Sequence, residues 1–239
     1  MKANHLKELQ TFRTLLAVGI FAIIFNIIAV LYFPTYVSRS FRLIGSTTLI
    51  TSFVISFPKQ SKSLLLVFIA FWIRDITAIF YGTGANGIGY FICGGIGYFG
   101  LFFRKLKRMM RYRIITPSFV VTTFFIIAFI LILYTLESVF DERVVENSII
   151  YYFYFLGTSI LLLVLLAIYY YYRIGGLRAL LFSFAVFSFT LSDIAAYYGI
   201  FLEENLFFIA TRLFYFVGLV TLMNFTITEV IDDEGTIVR

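Results

Sequence analysis

Eight apolar runs follow one another along the chain, at 14–33, 42–57, 63–82, 87–103, 117–136, 148–170, 178–201 and 206–226. A helix that crosses the hydrocarbon of a bilayer needs about 20 mostly apolar residues, and the runs match or approach that length. Pro34, Pro58 and Pro117 all fall at run ends, so no span is interrupted by proline. The first run follows Lys2, Lys7 and Arg13, as a signal peptide would. It is too long for such a segment and has no small-residue cleavage site before Pro34, so it is read as a helix. The pattern predicts an all-α polytopic membrane helix bundle with eight transmembrane helices, forming a single integral membrane domain over 1–239.

Composition agrees. The 239 residues are 61% hydrophobic and only 13% charged, where a soluble domain would carry roughly 25% charge. Cys93 is the lone cysteine and His5, in the N-terminal tail, the lone histidine. No disulfide, no metal site and no cofactor are therefore expected. The net charge of +6 is a topology signal rather than a sign of nucleic-acid binding. Fourteen of the nineteen basic residues fall in the tails and in alternate loops, including the run Arg104–Arg113. The opposite loops hold only Arg39, Arg42 and Arg143. The bias predicts N-in, C-in orientation, as a multi-pass protein of the cell membrane, the inner membrane of a bacterium. Tyr169–Tyr172 read as an aromatic belt, the basic run as an anchor on anionic head groups, and the glycines of the fourth run as sites of close helix packing.

Two carboxylates break this apolar background. Asp75 lies in Arg74-Asp75-Ile76-Thr77-Ala78, followed by Tyr81-Gly82, and Asp193 in Ser192-Asp193-Ile194-Ala195-Ala196, followed by Tyr198-Gly199. Both copies read Asp-Ile-x-Ala, then Tyr-Gly. Further on, Phe91-Ile92 and Tyr98-Phe99 match Phe208-Ile209 and Tyr215-Phe216. Upstream, Ile44-Gly45-Ser46-Thr47 matches Leu156-Gly157-Thr158-Ser159. Spans two to four thus match six to eight, which predicts a 4+4 parallel internal repeat with halves 1–113 and 114–239, related by a two-fold along the membrane normal. At 1.5 Å rise per residue, Asp75, Asp193 and Arg212 each lie roughly 9–12 Å from a helix end. Ionisable groups at membrane depth are costly and tend to mark functional sites. Asp75 and Asp193 are the candidate catalytic residues, and Arg74, Ser192, Arg212, Tyr98 and Tyr215 the candidate substrate-binding ones. Arg74 and Asp75 are adjacent, so Arg74 is expected to leave the face of Asp75 and pair elsewhere or snorkel outward.

Eight spans, an Asp in the third and Ser192-Asp193 followed by small residues in the seventh resemble the lysoplasmalogenase-like YhhN membrane proteins. The resemblance covers nearly the whole chain in layout and only these short motifs in residues. It implies hydrolysis of the vinyl-ether bond of a lysophospholipid, with Asp75 as proton donor and Asp193, near Arg212, as the ionised partner. Three features depart from the family pattern: Arg74-Asp75 replaces Gly-Asp, no histidine ends the fourth span, and Arg42-Leu43 stands where Lys-Pro is usual. The alternative expectation is a non-catalytic member of the fold that binds membrane lipid or serves as a scaffold for protein partners in an envelope complex. A transporter is the third, and the absence of broken helices counts against it.

Overall fold

Within lipid every backbone polar group must be satisfied internally, which leaves helices as the solution for a chain patterned in long apolar runs. The computed structural model describes residues 2–57, 61–80, 85–109, 118–140, 147–202 and 204–237. Among these residues it contains eight helices: α1 Lys2–Tyr32, α2 Thr35–Ser56, α3 Lys62–Ile79, α4 Ala85–Met109, α5 Ser118–Phe140, α6 Asn147–Ile174, α7 Gly176–Leu202 and α8 Asn205–Ile237. Each covers one apolar run, and α1, α4 and α8 extend well past theirs. The Tyr81-Gly82 end of the first motif and the loop charges at 110–117 and 141–146 lie outside the described residues.

Four helices carry segments long and apolar enough to cross a membrane: Gln10–Tyr32, Ile149–Ile174, Gly176–Ile200 and Asn205–Glu229. The protein is therefore a membrane protein by length and composition. α3 falls short because its 18 residues include Lys62, Arg74 and Asp75. α2 falls short because Arg39, Arg42 and a series of Ser and Thr dilute it.

The chain divides into two compact units, Met1–Lys62 with Gly175–Arg239, and Ser63–Ile174. The first holds α1, α2, α7 and α8. Here α7 and α8 form an antiparallel hairpin: Ser192 meets Thr211, Phe189 meets Tyr215, Phe182 meets Phe225, and Arg178 Nη2 lies 3.6 Å from Glu229 Oε1. α8 is buried almost all round from Gly218 to Ile227, as the central helix of a unit must be. α2 runs parallel to it, with Ser38 beside Arg212, Arg42 beside Tyr215 and Gly45 against Phe216. α1 closes the unit on a stripe of small residues, Gly19, Ala22, Asn26 and Ala29, while Ile20, Phe21, Ile24 and Phe25 stay exposed. That distribution, small inside and large apolar outside, is the packing expected where lipid rather than water is the solvent.

The second unit holds α3, α4, α5 and α6. α3 and α4 pack antiparallel through glycines: a Cβ on Gly100 would meet Val67, one on Gly97 would meet Phe71, and one on Gly89 would meet Thr77. α6 runs parallel to α4, with Phe153 against Phe91 and Phe155 against Gly95 and Phe99. α5 packs on α6, where Leu133 fills the gap left by Gly157. Lys105 and Tyr170 are both buried in this unit, with the ammonium 4.0 Å from the ring centroid. Lys105 therefore leaves the basic run expected to face head groups, and Tyr170 leaves the aromatic belt, because a desolvated cation gains more from a ring face than a surface one does. Tyr171 and Tyr172 remain exposed.

Candidate functional site

Every sequence-predicted site residue is described, and they divide between the units. Arg74, Asp75 and Tyr98 belong to the unit of α3–α6; Ser192, Asp193, Arg212 and Tyr215 belong to the unit of α1, α2, α7 and α8.

In the α3–α6 unit the buried stripe of α3 runs through Leu64, Val67, Phe68, Phe71, Arg74, Asp75 and Ala78. It is wide enough to take two consecutive residues, so Arg74 and Asp75 are both buried, at 3% and 1% exposure. Of the two expectations for Arg74, pairing elsewhere holds and snorkelling outward does not: its partners lie on α4. Its Nη2 donates to Tyr90 Oη at 2.5 Å and its Nη1 to Tyr98 Oη at 3.4 Å. The guanidinium carbon also sits 4.4 Å from the Tyr90 ring centroid. The two tyrosines are eight residues apart with Gly94 midway, all on one face of α4. A Cβ on Gly94 would come within 3.2 Å of Arg74 Cδ and 3.3 Å of its Nε. The glycine thus makes the trough in which the arginine stem lies, and the tyrosines close its ends. Phe71 holds Tyr98 from the other side in an edge contact, centroids 5.3 Å apart.

The other unit carries a second polar cluster. Ser192 Oγ donates to the carbonyl of Thr211 at 3.0 Å, pinning α7 to α8 beside Asp193, which is half-buried. Arg212 is 2% exposed, and its Nη2 reaches Ser38 Oγ at 3.5 Å. Arg42, 5% exposed, lies with its guanidinium carbon 5.3 Å from the Tyr215 ring centroid. Tyr215 is braced by Phe189 in an edge contact, centroids 6.1 Å apart, and Gly218 makes room for Phe189. The opposite face of α2 bears a groove of about 470 Å³ lined by Leu43, Ile44, Thr47, Thr48 and their neighbours. Thr47 and Thr48 donate to carbonyls of their own helix and so offer the groove their methyl groups rather than donors.

Sequence reasoning missed Tyr90, Ser38 and Arg42. Tyr90 was legible as the residue one turn before Gly94 on the face of Tyr98. The hydropathy pattern places Arg42 in a loop because its apolar run starts there, whereas α2 begins at Thr35 and takes Arg39 and Arg42 into the helix. The Ser38–Arg42 spacing of four is the signal that would have placed both on one face.

Among the described residues no cluster of His, Cys, Asp and Glu could hold a metal ion. The chemistry within reach is that of carboxylates, guanidinium groups and phenols: proton transfer, and recognition of anions. Comparison with family models, with characterised proteins and with solved structures gives no match.

Proposed function

We propose that the protein is a lipid hydrolase of the lysoplasmalogenase type, embedded in the cell membrane through eight spans with both termini inside. The observation that supports it best is a carboxylate in α3 and another in α7, each beside a buried polar residue in an otherwise apolar helix. Asp75 gives its proton to the β-carbon of the vinyl ether, and the ether oxygen stabilises the cation left on the neighbouring carbon. Water adds there and loses a proton to solvent. The resulting hemiacetal expels the glycerol oxygen, its hydroxyl proton passing to that oxygen, and releases the fatty aldehyde. Reprotonation of Asp75 from solvent completes the cycle.

The 4+4 repeat belongs to the same reading and draws support from within each unit. Phe71–Tyr98 and Phe189–Tyr215 are edge contacts between positions that the repeat equates. Gly45 and Gly157, also equated, each admit a side chain of the preceding helix, Asn26 and Leu133. Each unit consists of one antiparallel hairpin, a helix parallel to the hairpin's second member, and the helix before that. The repeat is then an exchanged one: the first two helices of each half pack with the last two of the other.

The test is turnover of a vinyl-ether lysophospholipid by purified protein. Asp75→Asn is expected to lower the rate by about 10²–10⁴-fold, the usual contribution of a general acid, with the fold retained. Wild-type inactivity across several head groups, or full activity in Asp75→Asn, removes the proposal. A second reading, lipid binding without catalysis, is favoured by one observation: Arg74 and Asp75 are closed in by their own unit's side chains. It predicts lipid binding by a wild-type protein that cleaves nothing.

A further inference from the structure

We propose that the seam between α4 and α6 binds an anionic phospholipid, with its phosphate at Lys107 and Arg173 and one acyl chain along Phe99 and Phe103. The site is separate from both carboxylates and does not rest on the hydrolase reading. It requires only that the protein lies in a membrane.

Helix periodicity brings these residues to one seam. Gly95, Phe99, Phe103 and Lys107 follow one another at intervals of four on α4, which keeps them along one side of the helix. Phe155 of α6 packs against Gly95 and Phe99, its ring centroid 5.5 Å from that of Phe99. Arg173 follows Phe155 by 18 residues, five whole turns, so it continues the same side of α6. Phe103 stacks on Phe99, with centroids 5.8 Å apart and an interplanar angle of 19°, and is itself 61% exposed. α5 packs on α6 at Gly157, two residues and more than half a turn round from Phe155, so it lies on another side of the helix.

The charge at the end of this seam is positive. Lys107 and Arg173 come within three residues of the Lys105–Tyr170 contact, so both belong to the C-terminal end of the parallel pair. Lys105 is buried against its ring, whereas Lys107 is exposed and Arg173 half-buried. The exposed Tyr171 and Tyr172 beside Arg173 mark this end as the level of the membrane interface, where amphipathic rings gather. The carboxylates described in this unit lie away from it. Glu137 meets Tyr154 near the start of α6, and Asp75 follows Arg74, whose stem lies at Gly94. Gly94 precedes Lys107 by 13 residues, about 20 Å along α4. The helix dipoles place about half a negative charge at each C-terminus, which the two side chains exceed.

An anionic lipid complements both parts of the seam. A soluble anion would meet the charge and leave the phenylalanine track unused; a zwitterionic lipid would use the track and bring no net charge. Contact between an acyl chain and a membrane helix replaces contact with other chains, so it carries no hydrophobic gain. The track therefore positions the lipid, and the head group supplies the preference. A basic side chain at the membrane surface raises affinity for anionic lipid about fivefold.

The experiment is native mass spectrometry of the purified full-length protein in detergent, titrated separately with three probes. These are dioleoyl phosphatidylglycerol, dioleoyl phosphatidylcholine and glycerol phosphate. Phosphatidylglycerol is expected to bind at least about tenfold more tightly than phosphatidylcholine, from two basic side chains at about fivefold each. Lys107→Gln and Arg173→Gln are each expected to reduce that preference about fivefold. Arg13→Gln, which removes an exposed arginine of α1 in the other unit, is expected to leave it unchanged. Phe103→Ala is expected to weaken both lipids alike and keep their ratio. Equal affinity for the two lipids overturns the proposal. A loss in Arg13→Gln as large as in Arg173→Gln overturns it too, because diffuse attraction by net charge would then account for the preference. Glycerol phosphate that binds as tightly as phosphatidylglycerol removes the acyl track and has the same force. If Arg173→Gln does not fold, the exposed Lys107 and the wild-type comparison decide. Vinyl-ether turnover, present or absent, has no bearing on these outcomes.

Discussion

At the scale of single residues, Arg74 shows how a buried cation is accommodated without being sent to the surface. Its stem lies in the trough of Gly94, and its guanidinium donates to Tyr90 and Tyr98. The two acceptors are unequal, at 2.5 Å and 3.4 Å. Tyr90→Phe is therefore expected to lower stability by about 1.5–3 kcal/mol, the range for a hydrogen bond to a charged group. Tyr98→Phe is expected to cost clearly less. Thermal unfolding of the two variants in detergent checks the order, and equal losses would contradict the account. The existence of charged groups within each unit was legible in the sequence, because Arg74, Asp75, Asp193 and Arg212 stand out from an apolar background. The fate of Arg74 was not. It depends on the width of the buried stripe on α3 and on a glycine one turn from Tyr90, both of which are properties of the α3–α4 pair rather than of either helix.

At the scale of elements, glycine does two different jobs. On α4 it is a spacer. A Cβ on Gly95 would stand 2.2 Å from Phe155 Cε1, and an aromatic ring packed between two helices has little room to yield. Gly95→Ala is expected to cost about 1–3 kcal/mol by overpacking. At the junction of α6 and α7, Gly175 and the first residue of α7, Gly176, adopt φ of 63° and 74°, with no neighbouring atom within 4 Å of a would-be Cβ. Gly175→Ala is expected to cost about 1–2 kcal/mol through backbone strain alone. Relaxation of Phe155 through a second substitution, Phe155→Leu, is expected to recover stability for Gly95→Ala, and nothing comparable exists for Gly175→Ala. Double-variant melting curves measure both. The positions of all eight helices were legible because each coincides with an apolar run. Their ends were less so: α2 starts seven residues before its run, and there Ser40 satisfies its hydroxyl on the carbonyl of Tyr36 in its own helix. Such residues are carried in a helix at little cost, and hydropathy does not register that.

At the scale of the whole molecule, the order of helices along the chain differs from their grouping in space. The halves suggested by the repeat are 1–113 and 114–239, whereas the compact units join Met1–Lys62 to Gly175–Arg239 and enclose Ser63–Ile174. Sequence similarity can reveal that two stretches are alike. It carries no information on which copy of a helix packs with which, because equivalent helices present equivalent surfaces. The exchange has a consequence for folding that separates it from a simple tandem of two bundles. In an exchanged arrangement α2 finds its parallel neighbour, α8, only in the other half, and α4 likewise finds α6. A fragment 1–113 then exposes the polar stripe of Ser38, Arg42 and Ser46 without the helix that covers it, and 114–239 lacks α2 against Arg212. Each fragment expressed alone is expected to be degraded or to aggregate. Expressed together in one cell, the two are expected to co-purify and to melt in a single transition, since every exchanged contact can reform despite the break between residues 113 and 114. Monodisperse behaviour of either fragment on its own would mean that each half folds independently, and the exchanged repeat would have to be abandoned.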